Sequence, residues 1–83
     1  MINTEHTPNP DTLKFLPGKK VSNAGPLEFT SKDKNTKIPL VNKILSLGGT
    51  EMVFFGLDFI TVKKEQNSNW ENLKQGIISE IND

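Results

Sequence analysis

The chain contains no cysteine. It can form no disulfide, it offers no thiolate to zinc, copper or an iron-sulfur cluster, and nothing in it reports a redox compartment. Neither sign of charge is in excess: lysine plus arginine and aspartate plus glutamate number 10 each, so no overall field draws nucleic acid or an anionic membrane. No apolar run approaches the roughly 18 residues of a membrane-spanning helix. The first residues, MINTEHTPNPD, lack the basic start and apolar run of a secretory signal and the arginine-rich character of a mitochondrial presequence. These absences leave a soluble, intracellular protein as the expectation. With 83 residues there is room for one domain and one core, burying roughly 60 to 65 % of the unfolded surface and stable by about 5 kcal/mol or a little more.

The most specific segment present is Met52 to Lys64, MVFFGLDFITVKK. Val53, Phe54 and Phe55 run into Gly56-Leu57-Asp58, and Phe59, Ile60, Thr61 and Val62 run out again, which predicts a hairpin with a three-residue turn where glycine and aspartate take unusual backbone angles. Both sides of such a ribbon are too apolar to stand in water, so it needs cover from an amphipathic element.

Ile2 to His6 and Thr12 to Leu16 read as two further strands, with Leu13 and Phe15 on one face. Pro8-Asn9-Pro10-Asp11 joins them as a stiff turn, two φ angles being set by proline. Pro17-Gly18 stops the second strand. In Val21 to Phe29 a strand is expected around Leu27-Glu28-Phe29, after Gly25-Pro26, and Thr30 to Lys37 reads as a polar surface loop. Pro39 to Leu47 predicts a helix with Leu40, Val41, Ile44, Leu45 and Leu47 on its apolar face and Gly48-Gly49 as its stop. Ile38 cannot cap that helix, which leaves Thr36 or water to do so. Asn67-Ser68-Asn69 offers caps for a last helix whose Trp70, Leu73, Ile77, Ile78 and Ile81 form one stripe, weakened at Gly76 by roughly 1 kcal/mol. The order strands, helix, hairpin, helix predicts an α+β domain: an antiparallel sheet with two helices packed on one face.

Candidates for chemistry are few. His6, the only histidine, would need Glu5 and Asp11 to make an iron site, and all three read first as surface residues, as do Glu51 and Asp58 against a role as general acid and base. Gly48-Gly49 follows a helix, whereas phosphate cradles precede one. None of Ser22, Ser31, Ser46, Ser68 and Ser79 has a cysteine or second histidine to activate it. Phe15, Phe54, Phe55 and Phe59 with lysines 14, 19, 20, 63 and 64 would make a single-stranded nucleic-acid platform if exposed. In so small a domain the aromatics read as core, Lys19-Lys20 and Lys63-Lys64 as solvated strand ends. Trp70 reads as packed on the sheet, with a binding hot spot as the other possibility.

Thr7-Pro8-Asn9-Pro10, Leu13-Lys14-Phe15, Pro17-Gly18, Pro39-Leu40, Val53-Phe54-Phe55-Gly56, Asp58-Phe59-Ile60-Thr61-Val62 and Trp70 occur in that order, and from Thr4 to Ile81 the chain resembles the N-terminal domain of the Nfu (NifU-like) iron-sulfur cluster proteins. Two positions depart from the pattern: Ile38 stands where serine is usual and Leu57 where proline is common. The resemblance implies a small α+β module that, in family members, precedes a second domain whose Cys-x-x-Cys binds a [4Fe-4S] cluster between two subunits. That domain is expected to lie outside this chain, so residues 1–83 form one domain with no cofactor, metal ligand or catalytic residue of their own. The implied role is non-enzymatic recognition during cluster assembly or delivery. Its partners would be apo iron-sulfur client proteins, assembly factors and the cysteine-bearing domain, and neither nucleic acid nor membrane. The compartment would be a bacterial cytoplasm or, after removal of a presequence, the mitochondrial matrix. The expected contact surface combines Pro8, Asn9, Pro10 and Asp11 with Gly56, Leu57, Asp58 and any phenylalanine on the open sheet face, since rigid turns lose little entropy on binding. The alternative is a stand-alone domain that binds a small ligand or single-stranded nucleic acid on that face.

Overall fold

The computed structural model describes residues 2–18, 26–33, 36 and 38–82. Expectations that fall on Lys19, Lys20, Val21 to Gly25, Lys34, Asn35 and Lys37 lie outside the described residues.

Five strands, β1 (Asn3–His6), β2 (Thr12–Leu16), β3 (Leu27–Thr30), β4 (Thr50–Phe55) and β5 (Ile60–Lys64), form one sheet in the order β1-β2-β5-β4-β3. Every neighbouring pair is antiparallel. Helix α1 (Pro39–Ser46) lies between β3 and β4 in the chain, and α2 (Trp70–Asn82) follows β5. Strand alternation sends Leu13, Phe15, Val53, Phe55, Ile60 and Val62 to one face, where they form a single buried cluster with Val41 and Ile44 of α1 and Leu73, Ile77 and Ile81 of α2. The other face stays open. This is the expected α+β architecture with both helices on one side.

Local details differ from the sequence-based expectation in four places. Phe55 pairs with Ile60, so four residues, Gly56 to Phe59, connect the hairpin, and Phe59 stands outside β5. Leu47 lies one residue beyond α1 and is 39 % exposed. Its neighbours Gly48 and Gly49, with φ of 79° and 80°, turn the chain through the left-handed region as a helix stop requires. Thr36 does not cap α1. Its hydroxyl instead accepts the Ile38 N–H at 3.2 Å, while the Asn42 side chain reaches back to accept the Thr36 N–H at 2.8 Å and donate to the Thr36 carbonyl at 2.9 Å. Ile38, the N-cap residue without a capping side chain, packs on the core, so apolar burial offsets the missing cap.

The fourth difference is Lys64. Expected at a solvated strand end, it is only 9 % exposed, because alternation along β5 puts it on the same face as Ile60 and Val62, while the register shift between Thr50 and Met52 turns Thr50 towards that face as well. Lys63, on the opposite face, reaches Glu51 at 3.5 Å. Helix α2 begins as expected: Asn69 Oδ1 accepts the Glu71 N–H at 2.8 Å, satisfying one of the free amides of its first turn.

Candidate functional site

The turn at Pro8 to Asp11 is rigid, as its prolines predict, and is held by more than proline. Thr7 Oγ1 accepts the Asn9 N–H at 3.2 Å, Asn9 Oδ1 accepts the Asp11 N–H at 2.9 Å, and Thr12 N–H donates to the Asn9 carbonyl at 3.0 Å. The turn is then tied to distant elements. Lys64 Nζ meets Asp11 Oδ1 at 2.9 Å, the Lys64 N–H donates to the Asp11 carbonyl at 2.7 Å, and the Trp70 indole N–H donates to the Pro10 carbonyl at 3.2 Å. Trp70 is half-buried, with its ring tilted on Phe15 at 6.2 Å between centroids. It therefore packs on the sheet, as expected, while its polar edge latches the turn.

The turn at Gly56 to Asp58 occupies the other end of the sheet. From Asp58 to Lys64, beside which Asp11 is held, the chain advances by about 20 Å at roughly 3.3 Å per residue. The structure thus does not bring Pro8, Asn9, Pro10 and Asp11 together with Gly56, Leu57 and Asp58. Antiparallel pairing is the reason: the β1–β2 connection meets the C-terminal end of β5, the β4–β5 connection its N-terminal end.

Gly56 does not supply an unusual backbone angle, since among the described residues the positive-φ glycines are Gly18, Gly48 and Gly49. What it supplies is space. A Cβ built there would run into the Phe59 ring, while the Gly56 N–H donates to the Phe59 carbonyl at 2.9 Å and closes the turn. Gly56→Ala is expected to lower stability by about 1 to 2 kcal/mol by displacing Phe59. Adding Phe59→Ala should relieve part of that loss in urea melts, whereas strict additivity of the two substitutions would mean the ring does not cover Gly56.

Phe59 and Phe54 are the aromatics of the open face, stacked at 6.1 Å between centroids with planes 30° apart. Expected in the core, both are half-buried, while Phe15 and Phe55 are fully enclosed. Alternation carries the signal that separates them, because Phe54 lies between Val53 and Phe55 in β4 and so faces the other way. Lys14 Nζ stands 4.5 Å above the Phe59 ring and 3.8 Å from Glu5 Oε1. Each of Lys14, Lys63 and Lys64 therefore has a carboxylate partner within the chain, which weakens the case for a phosphate-binding platform.

The remaining candidates do not converge. Glu5 opposes Lys14 and His6 opposes Leu13, so the two side chains leave β1 on opposite faces, and among the described residues no group of three histidine or carboxylate side chains is placed to hold a metal. Glu51 and Asp58 sit at opposite ends of β4, too far apart to act as an acid–base pair. An open groove of about 310 Å³ between the end of α1 and the start of α2, lined by Leu47, Gly48, Gly49, Asn69, Asn72 and Gly76 among others, escaped the sequence reading because it arises only where the two helices meet.

A family model described as "Scaffold protein Nfu/NifU N terminal" matches residues 2–83. The chain belongs to this family. This Nfu/NifU N-terminal domain is 41 % identical over 83 residues to the human mitochondrial NFU1 iron-sulfur cluster scaffold homolog, covering 99 % of the chain and 33 % of that protein. It is 40 % identical over 82 residues to the mitochondrial NifU-like protein 4 of Arabidopsis thaliana, covering 99 % of the chain and 29 % of that protein. The chain thus spans about a third of the length of these relatives. Among solved structures, protein SAV1430 from Staphylococcus aureus superposes with a TM-score of 0.81 at 26 % identity, over 95 % of this chain and 94 % of that one. A NifU-like protein from Saccharomyces cerevisiae gives 0.71 at 28 % identity, over 98 % and 74 %.

Proposed function

We propose that this Nfu/NifU N-terminal domain is the partner-recognition part of an iron-sulfur cluster scaffold or carrier, binding apo client proteins and assembly factors while a separate cysteine-bearing domain holds the cluster. The observation that carries this assignment is the family match over residues 2–83 in a chain without a single cysteine. Thiolates hold [4Fe-4S] clusters, and the residues present here do not fit one. The cluster is cargo for the whole protein, and the role of this chain is contact rather than catalysis. Its expected compartment is the mitochondrial matrix, in keeping with the names of the relatives, or a bacterial cytoplasm.

Of the two turns, the Gly56 to Asp58 end of the open face is the better contact surface. Leu57 projects there with 54 % of its surface exposed, beside Phe59 and Phe54. In the Pro8 to Asp11 turn Asp11 and the Pro10 carbonyl are engaged by Lys64 and Trp70, which leaves the exposed Pro8, Asn9 and Pro10 side chains as the smaller, secondary part of the contact surface. Anaerobic reconstitution with iron and sulfide tests the division of labour: the chain alone should retain no visible absorption and no stoichiometric iron after desalting. Stoichiometric uptake would overturn it and direct mutagenesis to Glu5, His6 and Asp11.

A further inference from the structure

The open face holds one basic group in a defined way. The Lys14 ammonium lies above the Phe59 ring and is tied to a carboxylate on the adjacent strand, Glu5. Next to it the same pair of acceptors recurs with no cation among the described residues. Phe54 stacks on Phe59, and Glu28 on β3 stands directly opposite Phe54 in the register, where side chains on one face are about 5 Å apart. Glu28 is exposed, and the ion pairs among the described residues, Lys14–Glu5, Lys63–Glu51 and Lys64–Asp11, include neither Glu28 nor Asp58. Leu57, in the adjoining turn between β4 and β5, is exposed.

We propose that Phe54 and Glu28 form a seat for an arginine side chain of a partner protein, with Leu57 and Phe59 taking an apolar residue beside it. The seat rests on the recognition role proposed above and names the chemistry of the partner segment: basic and apolar, not acidic. A guanidinium suits it better than an ammonium, because its plane stacks on a ring while its N–H groups fork onto a carboxylate. These 83 residues contain no arginine, so the group is not one of their own side chains. Asp58, at the same end of the sheet, adds attraction for a positively charged segment and repels phosphate backbones.

The test is an NMR titration of the isotope-labelled 83-residue chain with a capped leucine-arginine-leucine peptide, and with the same peptide carrying citrulline, which keeps the shape and loses the charge. Amide shifts should centre on Glu28, Phe54, Leu57 and Phe59, with binding about tenfold weaker for citrulline. Glu28→Gln should abolish that preference, as should Phe54→Leu, which keeps an apolar side chain but removes the ring face. Should Phe54→Leu fail to fold, Glu28→Gln, at an exposed position, carries the test alone. Equal response to both peptides overturns the proposal, as do shifts centred on the helix groove at Leu47 and Asn72 or the absence of any shift. The recognition role is decided by a separate measurement. If an apo client binds wild type and Glu28→Gln equally well, the arginine seat falls and the recognition role stands; if no client or assembly factor binds the chain at all, the recognition role itself falls.

Discussion

Phe15→Ala is expected to be the most damaging single substitution considered, lowering stability by about 4 kcal/mol. The ring is fully enclosed, on a strand paired on both sides and packed against Trp70. Its removal loses the transfer free energy of a large side chain and leaves a cavity that the strands on either side cannot close. For an 83-residue domain stable by about 5 kcal/mol, that loss leaves only about 1 kcal/mol, so the variant should populate unfolded states without denaturant. Circular dichroism during urea titration checks this, with Phe15→Leu as the comparison that keeps most of the volume. A midpoint unchanged in the alanine variant would remove Phe15 from the core.

Asp11→Ala should cost about 2 to 3 kcal/mol. Breaking a fully buried ion pair from one side costs roughly 3 to 5 kcal/mol because the remaining charge is left without solvent or partner. Here Asp11 keeps 24 % of its side-chain surface and Lys64 10 %, so water reaches the pair and the loss is smaller. Asp11 also receives the Lys64 N–H through its carbonyl, a bond that the substitution leaves in place. Lys64→Met combined with Asp11→Leu is expected to recover most of the stability, since apolar replacement of both members removes the unpaired charge. The four melts of this double-mutant cycle isolate the pair, and a double variant as unstable as Asp11→Ala would show that the turn depends on the ions themselves.

Most elements of the fold were legible in the chain because they depend on local rules. Pro39 and Gly48-Gly49 bracket α1, Asn69 caps α2, and the alternation of Leu13 with Phe15 orients β2. The hairpin was located correctly, and its turn was misread by one residue. Phe59 has strand propensity, but its ring covers Gly56 and its carbonyl accepts the Gly56 N–H, so it serves the turn instead. The candidate site was less legible. Composition groups Phe54 with Phe55 in the core, whereas alternation sends them to opposite faces. Lys64, which reads as a solvated strand end, is buried because alternation keeps it on the face of Ile60 and Val62, where Asp11, distant in the chain, receives its charge.

The family, the fold class and the lack of a thiolate ligand in these 83 residues could all be read from the chain. Those follow from motif order, periodicity and residue type, all of which are properties of short segments and of composition. Tertiary pairing is what sets the two rigid turns at opposite ends of the sheet, ties Asp11 and the Pro10 carbonyl to Lys64 and Trp70, and brings Phe54 and Glu28 together on the open face. These facts depend on strand order and register, which pair residues far apart in the chain and leave no local signature.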